Sequence, residues 1–501
     1  MNKTWIKQAA WVVAWDASAE RHVYFNDVDV VFDEEAIRHV GPGYAGDGET
    51  GVTVIEGKDC MVMPGLVNVH SHPTGEPLLR GLTEERKSRQ FYMSTLYEYI
   101  QLVGRSTKTM TLEEAHESGM DSPMHHDDRA RTASARLAIY EMLRSGVTTF
   151  VDYSPMRPDW IEEVKATGIR TCLAPSFRSG TWYTADGHEV LYEWDISAGE
   201  RAMQEAFDLL DEVAKDNSGL LTGMVAPGQI DTCAPELLQA ARDEALRREL
   251  PMTLHASQSV VEFREIFRRH GMTPIQWLEH LELLGPHFII GHAIFCDHHS
   301  WLTWPDRDDL GRIVDSGSSV AHCPNQFARG GVTLEDFGSY RAAGVNIGIG
   351  TDTNPHNMID EMRWAAVLAK VTRRDVDAGT ATSVFDAATI GGAKALHCPD
   401  IGRLAVGCKP DVVLVDLTHP YMQPVRDPLR TMLFCALERP IRDVFVAGRR
   451  IVEDGRVTTI DLGPEIQELN EAQPRALSVV PEKDWAGRTG DEAFPRCLPM
   501  Q

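Results

Sequence analysis

Gly65-Leu66-Val67-Asn68-Val69-His70-Ser71-His72 (GLVNVHSH, 65–72) is a short apolar run, opened by Pro64-Gly65, that ends in two histidines one residue apart. A β-strand repeats every two residues, so His70 and His72 are expected on one face. Seven further short apolar segments read as strands: 147–152, 170–174, 223–226, 252–255, 288–292, 319–322 and 345–350. Helical patterns fall between them. Met203, Ala206, Phe207, Leu210 and Val213 recur on one helical face, Gly146 is placed to cap a helix end, and Pro235 to open one. Eight strand-then-helix units predict an α/β fold, a (β/α)8 TIM-like barrel.

Outward from the barrel, both chain ends have strand texture. Segments 28–32 and 52–55 are short, apolar and bounded by turns, and DVVLVDL (411–417) and DVFVAG (443–448) repeat the pattern. The expected organisation is a small β-sandwich domain built from 1–62 and 400–464, a barrel over 63–399, and a C-terminal extension, 465–501, that wraps the surface or is partly disordered. The connection 73–131 is long for one strand-to-helix link. It is expected to be helical over 91–103 and to sit over the barrel as a lid, with MHHDD (124–128) a solvated polar turn.

At 501 residues and 43% hydrophobic, the chain has room for a barrel and a satellite domain. Its formal charge of −25 repels nucleic acid and anionic membranes. No apolar run reaches membrane-spanning length and the first ten residues lack a signal layout, so the expected address is the cytoplasm. Nine scattered cysteines without a CxxC pair suit a reducing compartment. The partner expected is a small molecule, and a homo-oligomer is expected on general grounds.

With 19 histidines in the chain, one HxH spacing is a weak signal. Position strengthens it. Four of the eight predicted strands finish in histidine, at His70, His255, His292 and His322, and a fifth runs into Thr351-Asp352. Barrel enzymes gather their reactive groups from the C-terminal ends of different strands. His70, His72 and His255 can supply neutral nitrogen to a divalent ion and Asp352 an anionic oxygen that also accepts a proton. His292 is then a group that stabilises developing negative charge, or else a further ligand. His322 reads as structural or as support behind the ligands, with a substrate contact as a further assignment. Arg178, Trp182, Asn325, Arg329 and His356 lie near strand ends and are candidates to line the pocket.

These motifs together resemble a known family. MVMPGLVNVHSH (61–72), the His255 strand, GHAIFCD (291–297), VAHCP (320–324) and GIGTDTNPHN (348–357) are similar to the amidohydrolase superfamily, in the branch of the s-triazine hydrolases and the cytosine, guanine and adenosine-type deaminases. IGRLAVGCKPDVVLVDL (401–417) resembles the return from barrel to β domain. The resemblance spans about residues 20 to 460. It implies one divalent metal ion, zinc in the first place and iron(II) as the alternative, held by His70, His72, His255 and Asp352, with His292 catalytic. A second metal would need a lysine or glutamate ending the fourth strand, where Met224-Val225-Ala226-Pro227 offers neither.

One position departs from the pattern. Deaminases of the branch carry HxxE after the fifth strand, whereas this chain has His255-Ala256-Ser257-Gln258. Gln258 can donate and accept hydrogen bonds but cannot transfer a proton. Glu262, one helical turn on, is expected on a solvated face. Gln258 is assigned to the catalytic and substrate-binding set, and Arg329 and His322 to substrate binding. The function expected is hydrolysis of a C–N bond on a nitrogen-rich heteroaromatic ring, by deamination or dealkylamination. A urea, carbamate or amide bond is the alternative, and a catalytically silent binding protein the remaining one.

Overall fold

The computed structural model describes residues 3–46, 50–82, 84 and 128–500. Eight parallel strands form the barrel: β1 Leu66–Asn68, β2 Val147–Ser154, β3 Arg170–Phe177, β4 in two pieces (Leu221–Gly223 and Ala226–Pro227), β5 Met252–Ala256, β6 Phe288–His292, β7 Ser319–His322 and β8 Asn346–Ile349. All eight fall where the apolar segments predict them. Strands β1 to β4 pair in sequence order, as do β5 to β8. Bridges Val225↔Met252 and Gln229↔His255 join β4 to β5. The other seam is closed by Val69 N–H to Ile349 O (3.1 Å), Asp352 N–H to His70 O (2.9 Å) and His72 N–H to Asp352 O (2.7 Å).

Strand periodicity divides the side chains. Val67, Val69, Val151, Tyr153, Cys172, Ala174, Met224, Ala226, Ile289 and Ala321 pack together inside the barrel. Their alternates, among them Phe150, Leu254, Ile290, Val320 and Ile347, face the helices. The helix Ile196–Val213 buries Ala206, Phe207, Leu210 and Val213 as its periodicity predicts, and the Asp195 carboxylate caps it by accepting the Ala198 N–H (2.8 Å). Pro235 opens Pro235–Arg247. Gly146 follows the helix Asp128–Arg144 at φ +88°, a left-handed turn into β2 that favours glycine.

The satellite is a sandwich of two sheets. One holds, in spatial order, Ile37–Gly41, Val28–Phe32, Lys3–Ala9 and Val52–Glu56. The other has seven strands and draws on both chain ends: Cys60–Pro64 lies between Trp11–Asp16 and Val412–Asp416, with Ile441–Val446 beyond. Alternation lets this second sheet serve two cores. Cys60, Val62, Val412 and Leu414 face the first sheet, while Met61, Met63, Val413 and Val415 face the barrel.

The C-terminal tail takes the first of its two expected forms, a segment wrapped on the surface. It is a helical strut rather than a loose extension, because the helix Leu462–Ser478 packs along Asp128–Arg144 and is tied to it by Arg136 Nη1 to Glu465 Oε1 (2.7 Å). Gln473 Nε2 also donates to the Arg80 carbonyl (3.0 Å), bracing the segment that leaves the HxH motif. The expected lid helix at 91–103 and the MHHDD turn (residue 128 excepted) lie outside the described residues.

Candidate active site

Beyond Asn68 the chain leaves the sheet, and Val69 to His72 hang on β8 through the seam bonds given above. Asn68 is the hub of that seam. Its Oδ1 accepts the N–H groups of His70 and Thr351 (3.2 Å each), and its Nδ2 donates to Thr351 Oγ1 (2.9 Å). One buried amide thus orients the backbones that carry His70 and Asp352. Asp352 is held at φ +54°, a left-handed conformation uncommon outside glycine.

The rings converge at the mouth. His70 is fully buried, edge-on to His72 (centroids 4.9 Å apart), His255 (4.8 Å) and His292 (4.7 Å). His72 Nδ1 lies 2.8 Å from the Tyr153 carbonyl and His255 Nδ1 lies 2.6 Å from the Gly228 carbonyl. A carbonyl can only accept, so both protons sit on Nδ1 and both Nε2 atoms carry lone pairs. Those Nε2 atoms are 3.1 Å apart. Two lone pairs at that spacing repel unless a cation lies between them. Two nitrogens about 2.0–2.1 Å from one tetrahedral ion would be about 3.3 Å apart, so the donor set fits a metal. Asp352 Oδ1 lies 3.5 Å from His70 Nε2 and 3.3 Å from His72 Nε2, and one ligand atom from each of His70, His72, His255 and Asp352 falls within 4.8 Å of the others.

Electrostatics agree. Burial holds His70 below the usual histidine range and His255 and His292 well below it, so these imidazoles are neutral, the form that ligates. Against the cost of burial, which alone would raise it, the Asp352 carboxyl among these rings lies well below the ordinary carboxylate range. His292 is buried and neither ring nitrogen has a hydrogen-bond partner among the described residues. Its ring meets Phe327 edge-on at 4.6 Å.

Gln258 follows β5, with its amide oxygen buried and without a hydrogen-bond partner among the described residues. Glu262 is not the solvated helix residue expected. It is fully buried, accepting the N–H of Ser257 (2.6 Å) and Gln258 (3.1 Å) and a contact from Gln229 Nε2 (3.3 Å). Burial, with the nearby Asp231 charge, pushes its carboxyl well up. It clamps the turn in which Ser257 takes φ +56°.

Of its readings, His322 takes the structural one rather than the substrate contact also assigned to it. Ala321 is the inward residue of β7, so His322 points to the helix side, stacked on Phe337 (5.7 Å, 29°), where burial lowers its pKa to about 3. Arg329 braces the loop after Asp352 by donating from Nη2 to the Asn354 carbonyl (2.5 Å) and to Thr353 Oγ1 (3.3 Å). Of the other pocket candidates, His356 is buried against Thr351 (Nδ1 to Oγ1, 2.9 Å), Asn325 donates to Asp360 (3.0 Å) and Trp182 to Asp231 (3.0 Å). Sequence reasoning missed Asn68 and Tyr153. Tyr153 stacks on His255 (4.8 Å, 22°), and its place just beyond the predicted second strand was the available signal.

A parallel barrel with imidazoles and one carboxylate at its C-terminal mouth defines a class of metal-dependent hydrolases. Residues 61–451 match the family model for the Amidohydrolase family, and the chain belongs to that family. It is a hydrolase acting on carbon–nitrogen bonds. The 5-methylthioadenosine/S-adenosylhomocysteine deaminase of Nitratidesulfovibrio vulgaris (Hildenborough) is 28% identical over 484 residues, covering 95% of this chain and 98% of the relative. The 5'-deoxyadenosine deaminase of Methanosphaera stadtmanae is 26% identical over 412 residues, 81% and 86% of the two chains. Among solved structures, a zinc-bound adenosine deaminase from Xanthomonas campestris superposes with TM-score 0.77 at 24% identity, covering 95% of this chain and 98% of its own. Atrazine chlorohydrolase from Arthrobacter aurescens TC1 in complex with zinc gives TM-score 0.77 at 22% identity, covering 94% and 100%. These structural likenesses show the shared fold.

Proposed function

We propose that the chain hydrolytically deaminates an amino-substituted heteroaromatic ring, adenine-type nucleosides first, at a single divalent ion held by His70, His72, His255 and Asp352. The carrying observation is the pair of Nε2 lone pairs of His72 and His255 at 3.1 Å, with the Asp352 carboxylate beside His72. Zinc suits this nitrogen-rich set and iron(II) is the alternative. The names of the deaminase relatives support the substrate class.

Held by His70, His72, His255 and Asp352, a divalent cation would lower the pKa of a water molecule from about 15.7 toward roughly 7. Asp352, kept ionised, takes the proton of the attacking water and delivers it to the departing nitrogen. His292 donates an N–H to the oxygen developing at the attacked carbon. Gln258 orients a ring nitrogen by hydrogen bonding, and Glu262 fixes the turn that presents Gln258. Arg329 acts by positioning the loop beyond Asp352. Water and the amino-substituted ring are consumed, and the oxo ring and ammonia are formed.

Gln258 also favours a second reading. A urea, carbamate or amide carbon needs no ring protonation, so such a bond suits a site without the HxxE glutamate. An ammonia-release assay over adenosine, 5'-methylthioadenosine, S-adenosylhomocysteine, s-triazines, ureas and carbamates, run beside elemental analysis, decides between them. The expected result is ammonia from a purine nucleoside and about one equivalent of metal. Turnover confined to ureas or carbamates would establish the second reading, and metal below about a tenth of an equivalent would overturn the site.

We further infer the division 1–62 with 400–464, 63–399 and 465–501, and a cytoplasmic enzyme. No helix among the described residues is long and apolar enough to cross a membrane. A homo-oligomer is supported by Trp364, Val367 and Val371, exposed along one side of the helix Met358–Arg373.

A further inference from the structure

A cavity of about 600 Å3 opens where β8 begins. That volume is within the range of small-molecule sites. From Asn346 in its wall to Asp352 is six residues, about 20 Å of extended chain, which places it at the opposite end of the barrel from the histidine cluster. Its walls join the two parts of the fold. Trp15 and Glu20 come from the sandwich, Arg403 from the return segment, and Arg341, Asp386 and Lys394 from the barrel.

The charges in this wall are poorly matched to one another. Arg403 lies over the Trp15 ring (4.7 Å), and its buried Nε has no hydrogen-bond partner among the described residues. Arg341 reaches Asp386 only at 3.9 Å. No carboxylate stands within ion-pair distance of Arg403 or Lys394 among the described residues, and Glu20 is exposed to water. In a chain of net charge −25, three cationic side chains from separate segments therefore face one space. Asp386 adds an acceptor, its buried Oδ1 lacking a hydrogen-bond partner, with His22 Nε2 3.9 Å away. A π-helical turn, Ala387–Gly391, forms part of the same wall through Ile390 and Gly391, and such turns concentrate at functional sites.

We propose that this cavity binds a small organic anion, a carboxylate or phosphate with a hydroxyl or amino donor beside it. Arg403, Lys394 and Arg341 take the anionic group, Asp386 accepts from the neighbouring donor, and Trp15 covers the ligand's carbon atoms. Because the ligand touches sandwich and barrel together, it stabilises their junction.

The test is thermal unfolding of the full-length, metal-loaded protein with glycerol 3-phosphate or malate, against glycerol as the uncharged control. One of the two anions raises Tm by about 2 °C or more at saturation, and which one does so assigns phosphate or carboxylate. Lys394→Gln, at an exposed position, weakens the response at least threefold, and Lys394→Gln with Arg403→Gln abolishes it. Asp352→Asn retains it, since the metal site is elsewhere. No shift with either anion overturns the proposal, as does a shift that survives Lys394→Gln unchanged and disappears in Asp352→Asn.

Discussion

His255 and His322 both stand at the C-terminal ends of parallel strands in one four-stranded sheet, both are buried, and burial lowers the pKa of each. They nevertheless occupy different chemical worlds. His255 shares the inner face of β5, donates its Nδ1–H to the Gly228 carbonyl, and aims a lone pair at that of His72. His322 sits one residue past the inward Ala321 and spends its ring on Phe337. A strand-end histidine becomes a ligand candidate when two conditions hold together. Its parity must turn it inward, and its second nitrogen must be held by a fixed acceptor.

The sharpest way to break this contrast is to delete each ring. His255→Ala or Asp352→Asn is expected to reduce kcat/KM by about 10^3-fold or more, since several kcal/mol of charge stabilisation would depend on the ion they are proposed to hold. Bound metal measured by elemental analysis falls with it. His322→Phe should leave kcat/KM within about threefold and metal content unchanged. Loss of metal in His322→Phe would show that parity does not separate the two residues.

Much of this contrast is legible in the amino-acid sequence. The eight strands follow from apolar runs bounded by turns, and the proposed ligand set from where His70, His72, His255 and Asp352 fall at their ends. The rest depends on tertiary context, and differently at each position. Parity at a strand end depends on register, and β7 is four residues long, so a one-residue choice decides whether His322 faces the mouth or the helices. Glu262 has the pattern of a surface residue, yet the strained turn at Ser257 needs an acceptor for its N–H groups and draws the carboxylate inward. The C-terminal tail has mixed charge and an internal proline, which obscures an amphipathic helix whose stability comes from packing on Asp128–Arg144. Asn68 carried no signal, because the role of an amide between two valines shows only once its bonds to His70 and Thr351 are seen.

Asn68 supplies an effect of intermediate size. If orientation of the HxH segment by the β1–β8 seam is what distinguishes an inward histidine, Asn68→Ala should weaken metal affinity by about 10- to 100-fold. Added zinc should restore most of the kcat in that variant. Competition with a chelator reads the affinity, and an unchanged value would place the burden on the rings alone. A smaller change, about tenfold at most, is expected from Gln258→Glu, which places a proton donor beside the ring nitrogen and should raise deamination of purine nucleosides. Equal rates in both proteins would favour urea- or carbamate-type substrates.

A last prediction reads the burial of His322 through stability rather than activity. His322 keeps a pKa of about 3 in the fold against 6.5 in the unfolded chain. Below pH 6.5 the unfolded chain therefore takes up a proton that the folded one refuses. Stability is complete above that pH and falls, by about 1.4 kcal/mol per pH unit, down to about pH 3. Phenylalanine keeps the stack on Phe337 and does not titrate. His322→Phe should thus match the parent protein in urea midpoint at pH 8 and exceed it progressively between pH 6 and pH 4. Parallel curves for the two proteins across that interval would mean that the His322 ring is hydrated or paired, and that its side of β7 is not the packing surface described above.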